Sequence, residues 1–286
     1  MNLRKIRKKI RSVSNVKKIT RAMELVSAIK MRKSQEKAIQ GKPYRELLSF
    51  IIEKIITSGL EKSYSPLLSL PNPMVQKELV IFISSNKGLC GGFNFNLFRF
   101  LIKEVDFKKT SFINIGMKGS TFVKKMGGDI IADFSSSYQE DKVSSIFKTI
   151  LDLFLKGDYK NVYIIYNRFL NSIKYEPIKR KILPISVDEN KFELKKSKTK
   201  IGEYLVEPSP EKIFDSVLRS LVEEELRQAL IDSEAAEHSA RMMAMKNATD
   251  NAQDVIYNLT LLRNRVRQEK ITYELLDMVT SKESVE

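Results

Sequence analysis

Over the first forty residues, apolar side chains fall at Leu3, Ile6, Ile10, Val13, Val16, Ile19, Met23, Val26 and Ile29. Steps of three and four mark one face of a helix, and neither Gly nor Pro occurs before Gly41. The segment Gly41 to Pro43 predicts a kink or frayed point, because proline removes a backbone donor and crowds the preceding turn. The stripe resumes at Leu47, Leu48, Ile51, Ile52, Ile55 and Ile56, and Ser58-Gly59 ends it.

The other end of the chain has the same character. Glu211 to Glu286 contain no Gly and no Pro, and Ser209-Pro210 just before them is a plausible helix start. A helix of that length reaches on the order of 110 Å at about 1.5 Å per residue, so it must project from a domain of this size. Its stripe runs Phe214, Val217, Leu221, Leu226 and Ala229, then small residues, then Val255, Leu259, Leu262, Val266, Leu275 and Met278. In the middle zone Ala236, Ala240, Ala244, Ala248 and Ala252 recur at every fourth position. Such a ridge of methyl groups lets another helix approach closely. The N-terminal stripe is the nearest partner, which predicts an antiparallel two-helix coiled coil built from the two ends. A compact bundle folded back at unmarked turns is the poorer alternative.

Between these ends, residues 74–206 change period. Glu78–Ser84, Ser111–Gly116, Asp129–Phe134 and Asn161–Phe169 read as strands, with helices near 93–106, 117–127 and 140–156. Alternation of this kind argues for βαβ units and a parallel sheet. Tyr175–Leu183 adds an edge strand, and Lys191–Lys200 reads as a solvated loop. The expected organisation is therefore an N-terminal coiled-coil helix over 1–58, a central Rossmann-like α/β insert over 74–206, and a C-terminal coiled-coil helix over 209–286.

Charge changes the picture next. Fifty Lys and Arg stand against 35 Asp and Glu, a formal charge of +15, which suggests an acidic partner: nucleic acid, an anionic membrane surface or an acidic protein. Twelve bases lie in residues 1–33, with Glu24 the only acid among them. A nucleic-acid reader usually adds aromatic residues for stacking, and none occurs before Tyr44. A basic helix facing an acidic protein explains the run equally well. A mitochondrial leader is also basic and amphipathic, but a leader would not run into the mature fold as one continuous stripe.

Cys90 and His238 are the only residues of their kinds, which excludes an intrachain disulfide, Cys-x-x-Cys sites and multi-histidine metal sites. His238 reads as a partly exposed helix residue. No apolar run approaches the roughly 20 residues of a membrane-spanning helix. SSNKGLCGGFN, Ser84 to Asn94, is the one glycine-rich loop between a strand and a helix, the setting in which phosphate-binding loops occur. It matches neither Gly-x-Gly-x-x-Gly nor the P-loop, so a tight turn that packs helix on sheet is favoured. Lys87 and the following helix start could lower the thiol pKa of Cys90, yet no histidine is near in sequence to serve as its base.

With both helical ends and the insert in place, the chain resembles the gamma subunit of F-type ATP synthases. Four ordered segments carry the resemblance: RSVSNVKKITRAMELVSAIKMRKSQ (Arg11 to Gln35), SSNKGLCGGFN, SEAAEHSARMMAMKNATDNA (Ser233 to Ala252) and RQEKITYELLDMV (Arg267 to Val279). Ser281-Lys282 stand where the family pattern usually has Gly-Ala. The resemblance implies a noncatalytic rotor with no cofactor of its own. The coiled coil would stand inside a ring of alpha and beta subunits, with the insert beside the epsilon subunit and the c-ring. It implies rotor-to-stator contacts at Met23, Arg267, Gln268, Thr272 and Glu274, and an approach of Lys87 and Cys90 to the lower rim of the beta subunit. It also implies no nucleic-acid partner, and a peripheral place on the cytoplasmic face of a bacterial inner membrane. A basic coiled-coil nucleic-acid binder and a nucleotide-binding enzyme built on the insert are the competing readings.

Overall fold

The computed structural model describes residues 3–57, 65–69, 74–135, 143–185 and 210–283. The Lys191–Lys200 loop, the Ser58-Gly59 stop and the start of the helix expected from residue 140 lie outside the described residues. By compactness the chain separates into two units, Met1–Ile29 with Arg241–Glu286 and Lys30–Ala240. Two helices run through both: α1, Leu3–Thr57, and α5, Pro210–Glu283.

The larger unit holds a five-stranded sheet in the order β3-β2-β1-β4-β5. Its strands are β1 (Glu78–Ile83), β2 (Thr110–Ile115), β3 (Asp129–Asp133), β4 (Asn161–Phe169) and β5 (Tyr175–Leu183), interleaved with α2 (Phe93–Glu104), α3 (Met117–Lys125) and α4 (Val143–Leu155). Strands β1 to β4 are mutually parallel, and β5 closes one edge antiparallel to β4. Parallel strands need crossovers that cover both faces, which is why LVIFI, Leu79 to Ile83 in β1, reads as a continuous apolar run. Val80, Phe82 and Phe112 meet Leu97 and Leu101 of α2 and Val123 of α3 on one face. Leu79, Ile81 and Ile83 belong to the other, with Ile146, Ile150 and Phe154 of α4, Ile52 of α1, and Phe214, Leu218, Val222 and Leu226 of α5.

The turn from β2 into α3 depends on Gly116, whose φ of +105° is open to glycine and whose absent Cβ would lie 2.1 Å from the Ser84 carbonyl oxygen. That closeness lets the Gly119 N–H donate to Ser84 Oγ at 2.7 Å.

Helix α1 continues through Gly41–Pro43, where the sequence predicts an interruption. Local packing outweighs the lost donor. The Arg45 guanidinium donates to the Ala38 carbonyl at 3.4 Å and to Gln228 of α5, and Gly41 has no Cβ to push back Glu224 Oε1, 3.2 Å from where one would stand. Leu48 and Ile52, in the following turns, are buried.

The seam of α1 follows the expected apolar stripe through Ile6, Ile10 and Val13 and leaves it beyond Val13. In the smaller unit Ile6, Thr20 and Ser27 are buried, and Val13, Ile10, Lys17 and Glu24 are half-buried. These positions alternate by three and four and repeat every seven residues, the spacing of a coiled coil. The stripe instead takes steps of three from Val13 to Val16 to Ile19, each rotating it backwards by about 60° on a helix of 3.6 residues per turn. Val26 and Ile29 therefore stand 53% and 69% exposed, while Ser27 beside them is 3% exposed. Helix α5 answers with the same period, through Met245, Thr249, Ala252 and Leu259. The pairing is antiparallel: Thr249 bonds Thr20, and Lys17 bonds Gln253.

Candidate functional site

The glycine-rich loop lies where the strand order reverses, between β1 and β4. In open α/β sheets the crevice beyond the strand ends at such a point is the usual ligand site. Here the chain itself fills it. Ala236 and Ala240 of α5 pack against Cys90 and Phe93, with Phe169 and Tyr175 alongside. Ser239 Oγ donates to the Ser172 carbonyl in the β4–β5 turn at 2.7 Å, and the buried Asn167 side chain donates to the Phe93 carbonyl at 3.1 Å. The loop is tied internally as well: Ser85 N–H donates to Asn94 Oδ1 at 3.3 Å, Asn94 Nδ2 donates to Ser85 Oγ at 2.7 Å, and Ser85 Oγ donates to the Lys87 carbonyl at 2.8 Å. This is a helix seat.

The alanine ridge thus serves two surfaces in turn. Four-residue steps advance by about 40° each on a 3.6-residue helix, about 160° from Ala236 to Ala252. Ala236 and Ala240 face the loop in the larger unit. In the smaller unit Ala244 and Ala248 are half-buried, and Ala252 is buried one turn from Thr249. The expectation that the whole ridge meets the N-terminal helix is corrected for Ala236 and Ala240.

Cys90 is 3% exposed and accepts a hydrogen bond from Asn94 Nδ2 at 3.3 Å, whereas Lys87 and Leu89 are exposed. The bulk of Cys90 belongs to the seat of α5, which spacing alone does not reveal. Met23 is half-buried, and Arg267, Gln268, Thr272 and Glu274 are exposed. Thr272 Oγ1 donates to the Gln268 carbonyl at 3.0 Å, and Glu274 pairs with Lys270 at 3.1 Å. From Arg267 to Thr280 every residue of α5 is exposed, including Ile271, Tyr273, Leu275, Leu276, Met278 and Val279. Those six spread over more than half of the helix circumference, a pattern that belongs to an enclosed helix.

A polar cluster fastens α5 within the larger unit. Arg45 of α1 and Arg227 lie 3.5 and 3.4 Å from the Glu224 carboxylate, and Arg180 of β5 lies 2.7 Å from Glu225. Burial pushes the carboxyl pKa of Glu224 and of Glu225 above the ordinary value, against the pull of their arginines. Asp232 goes further, to about 6, again through burial, although Gln228 donates to it and Arg45, Arg168 and Arg180 oppose the shift. Burial also carries the Tyr166 phenol up to about 12. His238 is buried, against the expectation of partial exposure, with Nε2 3.7 Å from Glu234. Its hydrogen bond holds the Glu234 carboxyl below the usual range.

Among the described residues no helix is long and apolar enough to cross a membrane, and no group of three or more His, Cys, Asp or Glu could hold a metal ion.

Residues 2–285 match the family model described as ATP synthase. Gamma chains of ATP synthase from Glaesserella parasuis and Coxiella burnetii are 37% and 36% identical to it, over 96% and 99% of both chains. The chain belongs to the ATP synthase gamma chain family. A further gamma chain, from Pelotomaculum thermopropionicum, is 35% identical over 97% of both. Among solved structures, a chain of the Euglena gracilis mitochondrial ATP synthase shares the fold with a TM-score of 0.67, at 16% identity over 99% of this chain and 94% of that one. A chain from the central stalk and c-ring of the Tetrahymena thermophila enzyme gives 0.59 at 22% identity, over 80% of this chain and 99% of its own. The gamma-chain architecture of a mixed sheet between long terminal helices accounts for the plugged crevice: the insert is a mount for α5.

Proposed function

We propose that this chain is the noncatalytic central rotor of a rotary ATP synthase, standing inside a ring of alternating alpha and beta subunits and coupling ion flow through the c-ring to ATP synthesis. The observation that carries this reading is the α5 segment Arg267–Thr280, exposed on every side yet apolar over more than half of its circumference. Such a segment fits a socket supplied by other chains. The outward Val16, Ile19, Val26 and Ile29 of α1 fit the same surroundings.

In this reading the ring holds the nucleotide chemistry, and the off-axis surfaces of the two helices press each catalytic site through its conformations as the rotor turns. Arg267, Gln268, Thr272 and Glu274, with Met23 on α1, would meet the stator near the sites. Lys87 and its loop would approach the lower rim of the beta subunit, with Cys90 supporting the loop from inside. The insert would sit beside epsilon and the c-ring, which places the chain peripherally at the cytoplasmic face of a bacterial inner membrane.

The test is reconstitution. The tagged chain expressed with alpha and beta subunits should elute as one copy in an ATP-hydrolysing ring. Arg267→Ala with Thr272→Ala should lower turnover while the free chain keeps its helix content. A chain that elutes alone or with nucleic acid would reject the rotor reading.

A further inference from the structure

Helices α2 and α3 cover one face of the sheet side by side, and the ring of Phe98 stacks on that of Phe122 with centroids 4.2 Å apart and planes within 5°. Residues three, four and seven apart share one face of a helix. Phe95 and Ile102 therefore lie on the face of α2 that carries Phe98, and Lys118 and Lys125 on the face of α3 that carries Phe122. Because Phe98 and Phe122 meet, both faces turn toward one seam.

This seam leaves a run of apolar groups in water. Phe95 is 61% and Ile102 52% exposed, while Phe98 and Phe122 are half-buried. Together they line two turns of α2, about 10 Å. Lone exposed apolar residues need no account, but a contiguous apolar strip rimmed by charge marks an interaction surface. Lys118 and Lys125 are exposed along the other side. Helix α3 has no Asp or Glu, and α2 has only Glu104, at its last position. The Arg99 guanidinium, 4.7 Å over the Phe95 ring, adds to the positive charge.

The layout discriminates among acidic partners. A bilayer calls for bases on all sides of a protruding apolar group, and a nucleic acid would set phosphates against Phe95 and Ile102 as well as against the lysines. Here the apolar and basic residues run in two lines along the helix axes. Their complement is a helix with an apolar stripe flanked by carboxylates. The seam between two packed helices accepts a third by the same fit of ridges into grooves.

We propose that the seam between α2 and α3 docks an acidic amphipathic helix of a partner protein, with its apolar stripe on Phe95, Phe98, Ile102 and Phe122 and its carboxylates on Lys118 and Lys125. The surface lies within the larger unit, and the proposal does not depend on the rotor reading.

The test uses a synthetic helix of about 18 residues, with leucines at helical spacing and glutamates along one flank, titrated with the full chain and followed by fluorescence anisotropy. Saturable binding is expected. Lys118→Glu with Lys125→Glu should weaken it about tenfold, and a peptide with lysines in place of the glutamates should regain affinity for that variant. Phe95→Ala should weaken the acidic peptide by about the same factor. These three side chains are exposed, so each variant should keep the parent's circular dichroism. The charge exchange separates the seam from the exposed apolar end of α5, which it leaves untouched. Absence of binding, or binding that none of these substitutions changes, overturns the proposal. Binding to phosphatidylglycerol vesicles or duplex DNA that the lysine reversal removes, with none to the peptide, overturns the choice of partner.

Discussion

The hydroxyl of Thr249 donates to that of Thr20 at 2.8 Å, and Thr20 in turn donates to the Lys17 carbonyl at 3.0 Å. Two buried threonines meet where a coiled coil ordinarily places leucine or isoleucine. With Lys17, Glu24 and Ser27 in the same seam, α1 is polar inside and apolar outside over this stretch. A buried polar pair contributes little net stability but is intolerant of misalignment. Thr20→Val and Thr249→Val in a double-mutant cycle should show a coupling of about 0.5–1 kcal/mol. Amide exchange across Thr20–Ser27 in the full chain measures it, and strict additivity would count against the bond.

Neighbouring positions on α1 should respond in opposite ways. Val26→Lys changes an outward residue and should shift the stability of the free chain by no more than about 0.5 kcal/mol. Ser27→Leu forces bulk into the seam and should cost about 1–3 kcal/mol. Thermal unfolding followed by circular dichroism ranks the two, and a larger loss at Val26 would mean that the stripe faces inward.

Ala236 fills the crevice at the end of β1 with one methyl group. Ala236→Leu overpacks the contact with Cys90 and Phe93 and should cost about 1–3 kcal/mol. Cys90 should at the same time become reactive toward a maleimide. A variant with parent stability and an unreactive Cys90 would show that the crevice has room to spare.

Acidity should act through the cluster around Asp232. Its carboxyl pKa rises from 3.8 to about 6 on folding, so the folded chain holds a proton that the unfolded chain has released between those values. The stabilising contribution is complete below about pH 3.8 and is lost as the pH rises through about 6; Glu224 and Glu225 shift in the same direction. Asp232→Asn should therefore melt above the parent at pH 7.5, with the gap closing as the pH is lowered through this window. A gap that is constant from pH 7.5 to 5 would mean that Asp232 does not titrate there.

The insert was the most legible part of the sequence. Strands β4 and β5 span Asn161–Phe169 and Tyr175–Leu183, as their apolar runs and flanking turn residues predict, because boundaries marked by Gly, Asp, Asn and Ser are local. Helix α5, and α1 as far as Gln40, were legible too, through the absence of Gly and Pro from those stretches. Which face they bury was not. A count of apolar residues assigns Val16, Ile19, Val26 and Ile29 to the inside, whereas the seam keeps a seven-residue period at the expense of hydrophobicity. Extending that period from Met245 reaches His238, so its burial was recoverable. The continuity of α1 at Pro43 was not, since it depends on Arg45 and Glu224, which lie far apart in sequence. The inward turn of Cys90 depends likewise on Ala236 and Ala240.

A chain that turns inside a ring of alpha and beta subunits can be watched turning. With Lys108, exposed on the insert, replaced by cysteine and linked to a bead, the chain would be assembled with surface-anchored alpha and beta subunits and given ATP. Sustained rotation in one direction, stopping when ATP is withdrawn, is the expected result. A bead that stays fixed or diffuses in both directions, on rings that are hydrolysing ATP, would contradict the account.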